Sequence, residues 1–421
     1  MTCIIVGGGG AGFQAAMTCR ALRPNVAVTL IDAENEAGYY RTLLPQFMVG
    51  ALPEEKLFFR KEGNDPLLTV RTGIRVKSLD RKAHSLSLDS GETLSYDRLI
   101  LAHGGEPYLP GILAGSPCRG IFAVRDLTTA RKTRAWLSDH RNVVVFGGSL
   151  VGVKTAVHLR QAGFEVTIVV RRGHILLRAL SPESAEVIEN HLQQMGIRLH
   201  VNAPLEDIRV GSGVITALKA GGQWLSCNTV LVATGIVPDT SFLEGTGLLT
   251  DGELVVSPAL QTIDPRIFAA GDVAVIASGG EKSSPNTWPQ AVSQGRLAAE
   301  NLYRNTPQPH RDFTGINAME LHGLAMVVLG PPVSGAHVIS YARPEDCIRR
   351  ELFLVDGKPL GGALIGDITA AGTLHTLINV GRPLTARDVG LLRPRTGNII
   401  RFPEQTGRRE ALILSPKRLR V

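Results

Sequence analysis

The sequence predicts an α/β chain with two Rossmann-like strand–turn–helix units, followed by a small α+β segment at the C-terminal end. Three observations carry that prediction. The short apolar runs CIIV at 3–6 and NVVVF at 142–146 each pass into a glycine turn and then into a stretch that reads as a helix. A second apolar strand follows each helix, AVTLID ending at Asp32 and EVTIVV ending at Val170, which is the pattern of a parallel pair with a crossover. Further on, RRELFLV and KPLGGALI flank Asp356-Gly357, a two-residue hairpin signal, and a helical stretch follows.

The bulk composition narrows the function classes. A chain of 421 residues has room for two or three domains, and 44% hydrophobic with 20% charged residues is ordinary for a soluble globular protein. No apolar run approaches the roughly 18 residues that cross a bilayer. The opening MTCIIVGGGGAG goes from strand straight into glycines without a basic leader, so the expected location is cytoplasmic. Cys3, Cys19, Cys118, Cys227 and Cys347 stand singly, with no C-x-x-C pair, which argues against a disulfide framework, a zinc site or a redox dithiol. No metal is expected. The formal charge of +7 gathers late, with Arg393, Arg395, Arg401, Arg408, Arg409, Lys417, Arg418 and Arg420 against Glu404 and Glu410. That tail reads either as a solvated face or as a docking surface for an acidic partner. Nucleic acid is not expected as a partner, because no aromatic-interleaved basic motif is present.

Each glycine of the first turn has its own task. Gly7 makes the tight turn, Gly9 lets a pyrophosphate approach the backbone, and Gly12 lets helix and strand pack closely. The helix N-terminus offers amide donors and a partial positive charge to phosphates. Asp32, 20 residues beyond Gly12, is placed to accept from a ribose hydroxyl. In the second turn Gly147 and Gly152 keep the outer positions while Ser149 takes the middle one, which is tolerable if its side chain turns away from the phosphates.

VLVATGIVPDTSF at 230–242, containing Gly235, and TIDPRIFAAGDVAVI at 262–276, containing Gly271 and Asp272, resemble the A-T-G and T-x-x-x-x-I-F-A-x-G-D signatures of two-dinucleotide-binding flavoprotein reductases. The resemblance implies an FAD domain interrupted by an NAD(P)H domain. It places the first part of the FAD domain at 1–116, the NAD(P)H domain at 117–240, the second FAD part at 241–310 and a C-terminal domain at 311–421. By the same resemblance Asp272 would hold a ribityl hydroxyl, and a helix starting near Trp288 would aim its N-terminus at the flavin ring. His103 stands where threonine is usual and is expected to be structural.

Disulfide reductases of this group need a cysteine pair after the second strand. Here that segment is YYRTLLPQFMVG, so no thiolate can receive electrons and such chemistry is not expected. The segment and the C-terminal third resemble NADH:rubredoxin and ferredoxin reductases and the flavin domain of nitrite reductases. That resemblance sets Arg41, Gln46 and Lys154 as candidate ring-side groups and a rubredoxin- or ferredoxin-like carrier as the acceptor; it leaves a homodimer open. In that branch a lysine and a glutamate pair beside the flavin, whereas the aligned positions here are Gln46 and Lys154. The second strand ends in Val170-Arg171-Arg172, with Arg178 beyond, where an acid would serve NADH; arginines there favour NADPH. The expected activity is FAD-dependent electron transfer from NADPH or NADH to a separate acceptor. The alternatives are a quinone reductase at a membrane surface and a nucleotide-binding adaptor with little turnover.

Overall fold

The computed structural model describes residues 1–59, 65–278, 281–284, 287–310 and 315–393. The first sheet has five parallel strands, in the order Ile267–Ala269, Arg98–Leu101, Thr2–Val6, Ala27–Ile31, Leu68–Arg71. The second is also parallel, in the order Arg198–His200, Glu165–Val169, Asn142–Phe146, Thr229–Val232, Ile121–Ala123. In both sheets the strand that feeds a glycine turn is central and buried. The first sheet is completed by a strand that comes after the whole second sheet in sequence, so the α/β class and the insertion of one unit in the other are both present. The two chain crossings zip together: Glu106–Pro107 pairs antiparallel with Ile236–Val237.

The C-terminal unit is a five-stranded antiparallel sheet, in the order Ile316–Leu321, Leu324–Leu329, Lys358–Ile365, Ile348–Val355, His337–Arg343, with the helix Ala371–Val380 on one face. The hairpin read at Asp356-Gly357 forms, and both residues take positive φ (50° and 73°) as a tight two-residue turn requires. A second hairpin turns at His322-Gly323. Side chains alternate across this sheet. Leu321, Met326, Val328, Ala363 and Ile365 join the core of the second unit, while Val327, Leu329, Leu352 and Leu364 pack on the helix.

Polar contacts reinforce that shared core. Glu351, fully buried, accepts from the Ser181 amide (3.2 Å) and hydroxyl (2.6 Å) at the start of the helix Pro182–Gln194. An acceptor there satisfies donors that a helix start leaves open. Among the described residues no helix is long and apolar enough to cross a membrane. The basic tail beyond Arg393 lies outside the described residues.

Candidate active site

The first turn links the strand Thr2–Val6 to the helix Gly10–Leu22. A Cβ at Gly12 would overlap the Gly7 carbonyl oxygen, so helix and turn touch through bare backbone. Gly9 precedes the helix without a side-chain cap, and the nearest atom to a Cβ there would be Arg41 Nε at 4.0 Å. The approach to the backbone at Gly9 is therefore open. Asp32 is buried and accepts from the Gly8 amide at 2.8 Å and the Glu34 amide at 3.1 Å. Burial pushes its carboxyl up to about 6, against the pull of those amides.

The second turn repeats this geometry with one change. A Cβ at Gly152 would overlap the Gly147 carbonyl, as at the first turn. Ser149 caps the helix Leu150–Gln161: its hydroxyl accepts from the Gly152 amide (3.3 Å) and donates to the Ala233 carbonyl (3.0 Å). The side chain is thus folded back onto the strand below it. Arg171 and Arg172 follow the strand Glu165–Val169 and are exposed.

The first turn opens onto a cleft of about 370 Å³. Gly7, Gly9, Asp32, Arg41, Gly271, Asp272 and Trp288 line it from the first unit, and Val151 enters from the second helix. Arg41 is held by Glu34 and by the Tyr39 hydroxyl (2.8 Å), and these anionic and polar partners keep its guanidinium charged despite burial. Arg125 reaches Asp272 at 3.4 Å and the Gly105 carbonyl at 3.2 Å; burial and the nearby Arg41 lower its pKa. Trp288 begins the helix Trp288–Asn301 and packs on Tyr40 and Phe59, with ring centroids 5.5 and 5.7 Å away. Gly235 carries φ +108° just after the strand Thr229–Val232, beside the crossing.

Lys154 and Gln46 are not among the residues that line the cleft. Lys154 donates instead to the Thr42 carbonyl at 3.1 Å, one residue from Arg41, and burial lowers its pKa while Glu320 of the C-terminal sheet raises it. The amine therefore sits where all three units meet. His103 donates through Nε2 to the Asp239 carbonyl (3.0 Å), tying one chain crossing to the other, and burial pushes it down to about 4. A neutral imidazole in that role is structural.

Sequence reasoning missed Glu34, Tyr39, Arg125 and Gln294. Gln294 is fully buried and accepts from the Gly271 amide at 2.7 Å, holding the turn that presents Asp272. The one local signal for Arg125 was a charged residue just past the apolar run that ends at Val124 and before the helix cap Asp126.

Residues 1–295 match the family model described as pyridine nucleotide-disulphide oxidoreductase. The chain belongs to this family. It is an NAD(P)H oxidoreductase, and membership implies FAD together with a nicotinamide nucleotide. The chain is 27% identical over 408 residues to an NADH oxidase of Methanocaldococcus jannaschii, covering 90% of each protein. It is 29% identical over 354 residues to the ferredoxin–NAD(+) reductase component of an anthranilate 1,2-dioxygenase system from Burkholderia cepacia, covering 80% of this chain and 86% of that one. In fold it matches a putidaredoxin reductase in covalent complex with putidaredoxin, with TM-score 0.84 at 21% identity, over 92% of this chain and 95% of the other.

Unlike the disulphide reductases that gave the family its description, this oxidoreductase brings no cysteine to the cleft. Its five thiols are free, and Cys3 and Cys19, well apart in sequence, meet in the core beside Tyr303. The residues present fit a flavin dinucleotide: an uncapped helix start, a bare Gly9 and a buried carboxylate lie in one cradle.

Proposed function

We propose that this protein is a flavoprotein reductase that carries electrons from a reduced nicotinamide to a small electron-carrier protein of the ferredoxin or rubredoxin kind. The observation that carries the reading is a cleft without a thiol, lined by the first dinucleotide turn and entered by Val151 of the helix that follows the second. FAD, when bound, supplies the redox chemistry, accepting hydride and returning electrons.

The chain supplies position and charge. In this reading residues 1–116 and 241–310 hold FAD, 117–240 hold the nicotinamide nucleotide, and 311–421 form the C-terminal domain. Gly9 and the first helix amides receive the pyrophosphate, and Asp32 accepts from the adenosine ribose. Asp272, steadied by Arg125, is set for a ribityl hydroxyl. Arg41 and the Trp288 helix border the ring, and Lys154 adds a cation behind Thr42.

The names of the relatives support a protein acceptor: the B. cepacia relative is a ferredoxin–NAD(+) reductase component. The M. jannaschii relative is named an NADH oxidase, so dioxygen is the control acceptor. Purified protein should be yellow, should bleach within seconds on anaerobic mixing with a reduced nicotinamide, and should reduce a ferredoxin or rubredoxin faster than dioxygen or a soluble quinone. Bleaching that is absent with both nicotinamides would leave a nucleotide-binding adaptor; faster turnover with quinone, or sedimentation with liposomes, would favour the membrane-surface alternative.

A further inference from the structure

We infer that the second turn is built for a dinucleotide with a phosphate on its adenosine ribose, which makes NADPH the preferred donor; this rests on reading that turn as the nicotinamide site. The two turns share one hydrogen-bonded frame. The amide of the first glycine donates to the last strand carbonyl, Gly7 to Ile31 (2.7 Å) and Gly147 to Val169 (2.9 Å). The next glycine's carbonyl is met from the returning loop, Gly8 by the Gly38 amide (3.0 Å) and Gly148 by the Leu176 amide (2.7 Å). Both loops therefore have the same length, and residues 32–38 correspond one by one to 170–176.

That correspondence shows a reversal of sign. Asp32 corresponds to Val170, Glu34 to Arg172 and Glu36 to His174, with Arg171 where Ala33 stands. Asp32 leans on Gly8 so closely that a Cβ there would strike its carboxylate; Val170 occupies the same place against Gly148, with Cγ2 at 2.8 Å from such a Cβ. The acid that reads a free ribose hydroxyl in the first turn is thus replaced by methyl groups in the second. A valine there neither accepts from a hydroxyl nor repels a phosphate.

The charges around it are uncommitted. Glu34 and Glu36 of the first loop are paired with Arg41 and Arg131. Among the described residues Arg171, Arg172 and Arg178 have no ion pair, and all three are exposed. The neighbouring acids are occupied: Glu189 accepts from the Ile175 amide (3.1 Å), and Glu183 lies towards Arg349 (3.7 Å). Arg171 and Arg172, in the loop that closes on this turn, thus match a phosphate monoester, which guanidiniums can grip through paired N–H donors.

The test uses the FAD-loaded full chain and four ligands. Wild type should bind 2′,5′-ADP roughly 10- to 100-fold more tightly than ADP, the span expected for charge-assisted hydrogen bonds to one phosphate. NADPH should exceed NADH in kcat/KM by a similar factor. Arg171→Ala with Arg172→Ala should erase the difference while leaving ADP binding and the flavin spectrum in place, and Val170→Asp with Arg172→Glu should reverse it. Equal binding of ADP and 2′,5′-ADP by wild type overturns the inference alone. Failure of both to bind, with FAD retained, overturns the nicotinamide assignment and the inference with it.

Discussion

Asp32 must hold a negative charge in a place that resists one. Burial raises its carboxyl to about 6, above the ordinary carboxylate range, so in the FAD-free protein ionisation of this group costs stability as pH rises through that value. Binding works in the opposite sense, because only the carboxylate accepts fully from ribose hydroxyls. FAD affinity of the apoprotein should therefore hold above pH 6 and fall by up to about tenfold per pH unit below it. Flavin fluorescence titrations across pH 4.5 to 7.5 would show this, and Asp32→Asn should weaken binding and flatten the profile. A wild-type affinity independent of pH would remove Asp32 from the ribose. Lys154 makes a second prediction at this scale. Its amine, bonded to Thr42 O, lies beside the segment that borders the ring, and Lys154→Met should lower the flavin midpoint potential by on the order of 20 mV, about 1 kcal/mol for two electrons. An unchanged potential would show that the cation is not felt at the flavin. The glycines and Asp32 were legible in the sequence because their spacing is local. Glu34 was invisible as a partner of Arg41, and Arg125 as a partner of Asp272, because those contacts are made only by folding.

At the scale of elements, two helices meet without side chains between them. The helix Trp288–Asn301 crosses Gly10–Leu22 where a Cβ on Gly295 would overlap the Ala11 carbonyl. Gly295→Ala should cost about 1–3 kcal/mol, the usual range for overpacking a close contact. It should also loosen FAD, since both helix starts border the cleft. Gly372, in the helix Ala371–Val380, has nothing within 4 Å of a Cβ, so Gly372→Ala should be neutral or stabilising by about 0.5–1 kcal/mol. Thermal unfolding of the two variants checks the contrast, and equal Tm values would deny the close crossing. Sequence legibility differed among elements for a physical reason. Strands buried on both faces, such as Asn142–Phe146, read as apolar runs, and the Asp356-Gly357 turn reads by its residues. The small antiparallel sheets Val76–Asp80, Ser85–Leu88, Thr93–Ser95 and Leu205–Gly211, Val214–Ala220, Gln223–Ser226 went unread, because most of their strands are short and half-exposed and alternate with many polar residues.

At the scale of the whole molecule, the second unit and the C-terminal sheet share one core and the buried Glu351 contact, and this body meets the first unit where Leu127 and Ala130 pack with Leu44 and Phe47. Lys154 bridges that body to Thr42. In the proposed function a carrier protein reaches the cleft from outside this frame, and charge is a long-range means of guiding it. The sequence carries +7, and we propose its late arginines and lysine, from Arg393 to Arg420, as the region that an acidic carrier approaches. Steering of that kind fades as the Debye length shrinks from about 10 Å at 0.1 M salt to about 3 Å at 1 M. Reduction of an acidic ferredoxin or rubredoxin should slow markedly over that range, whereas reduction of a neutral quinone should barely respond. Replacing Arg408, Arg409, Lys417 and Arg418 with glutamine should flatten the salt dependence and lower the carrier's on-rate, with flavin reduction by the nicotinamide unchanged. Stopped-flow traces of the two half-reactions separate these effects. A quadruple variant that keeps both the wild-type carrier rate and its salt slope would assign the tail to solvent and move the docking surface to the folded units.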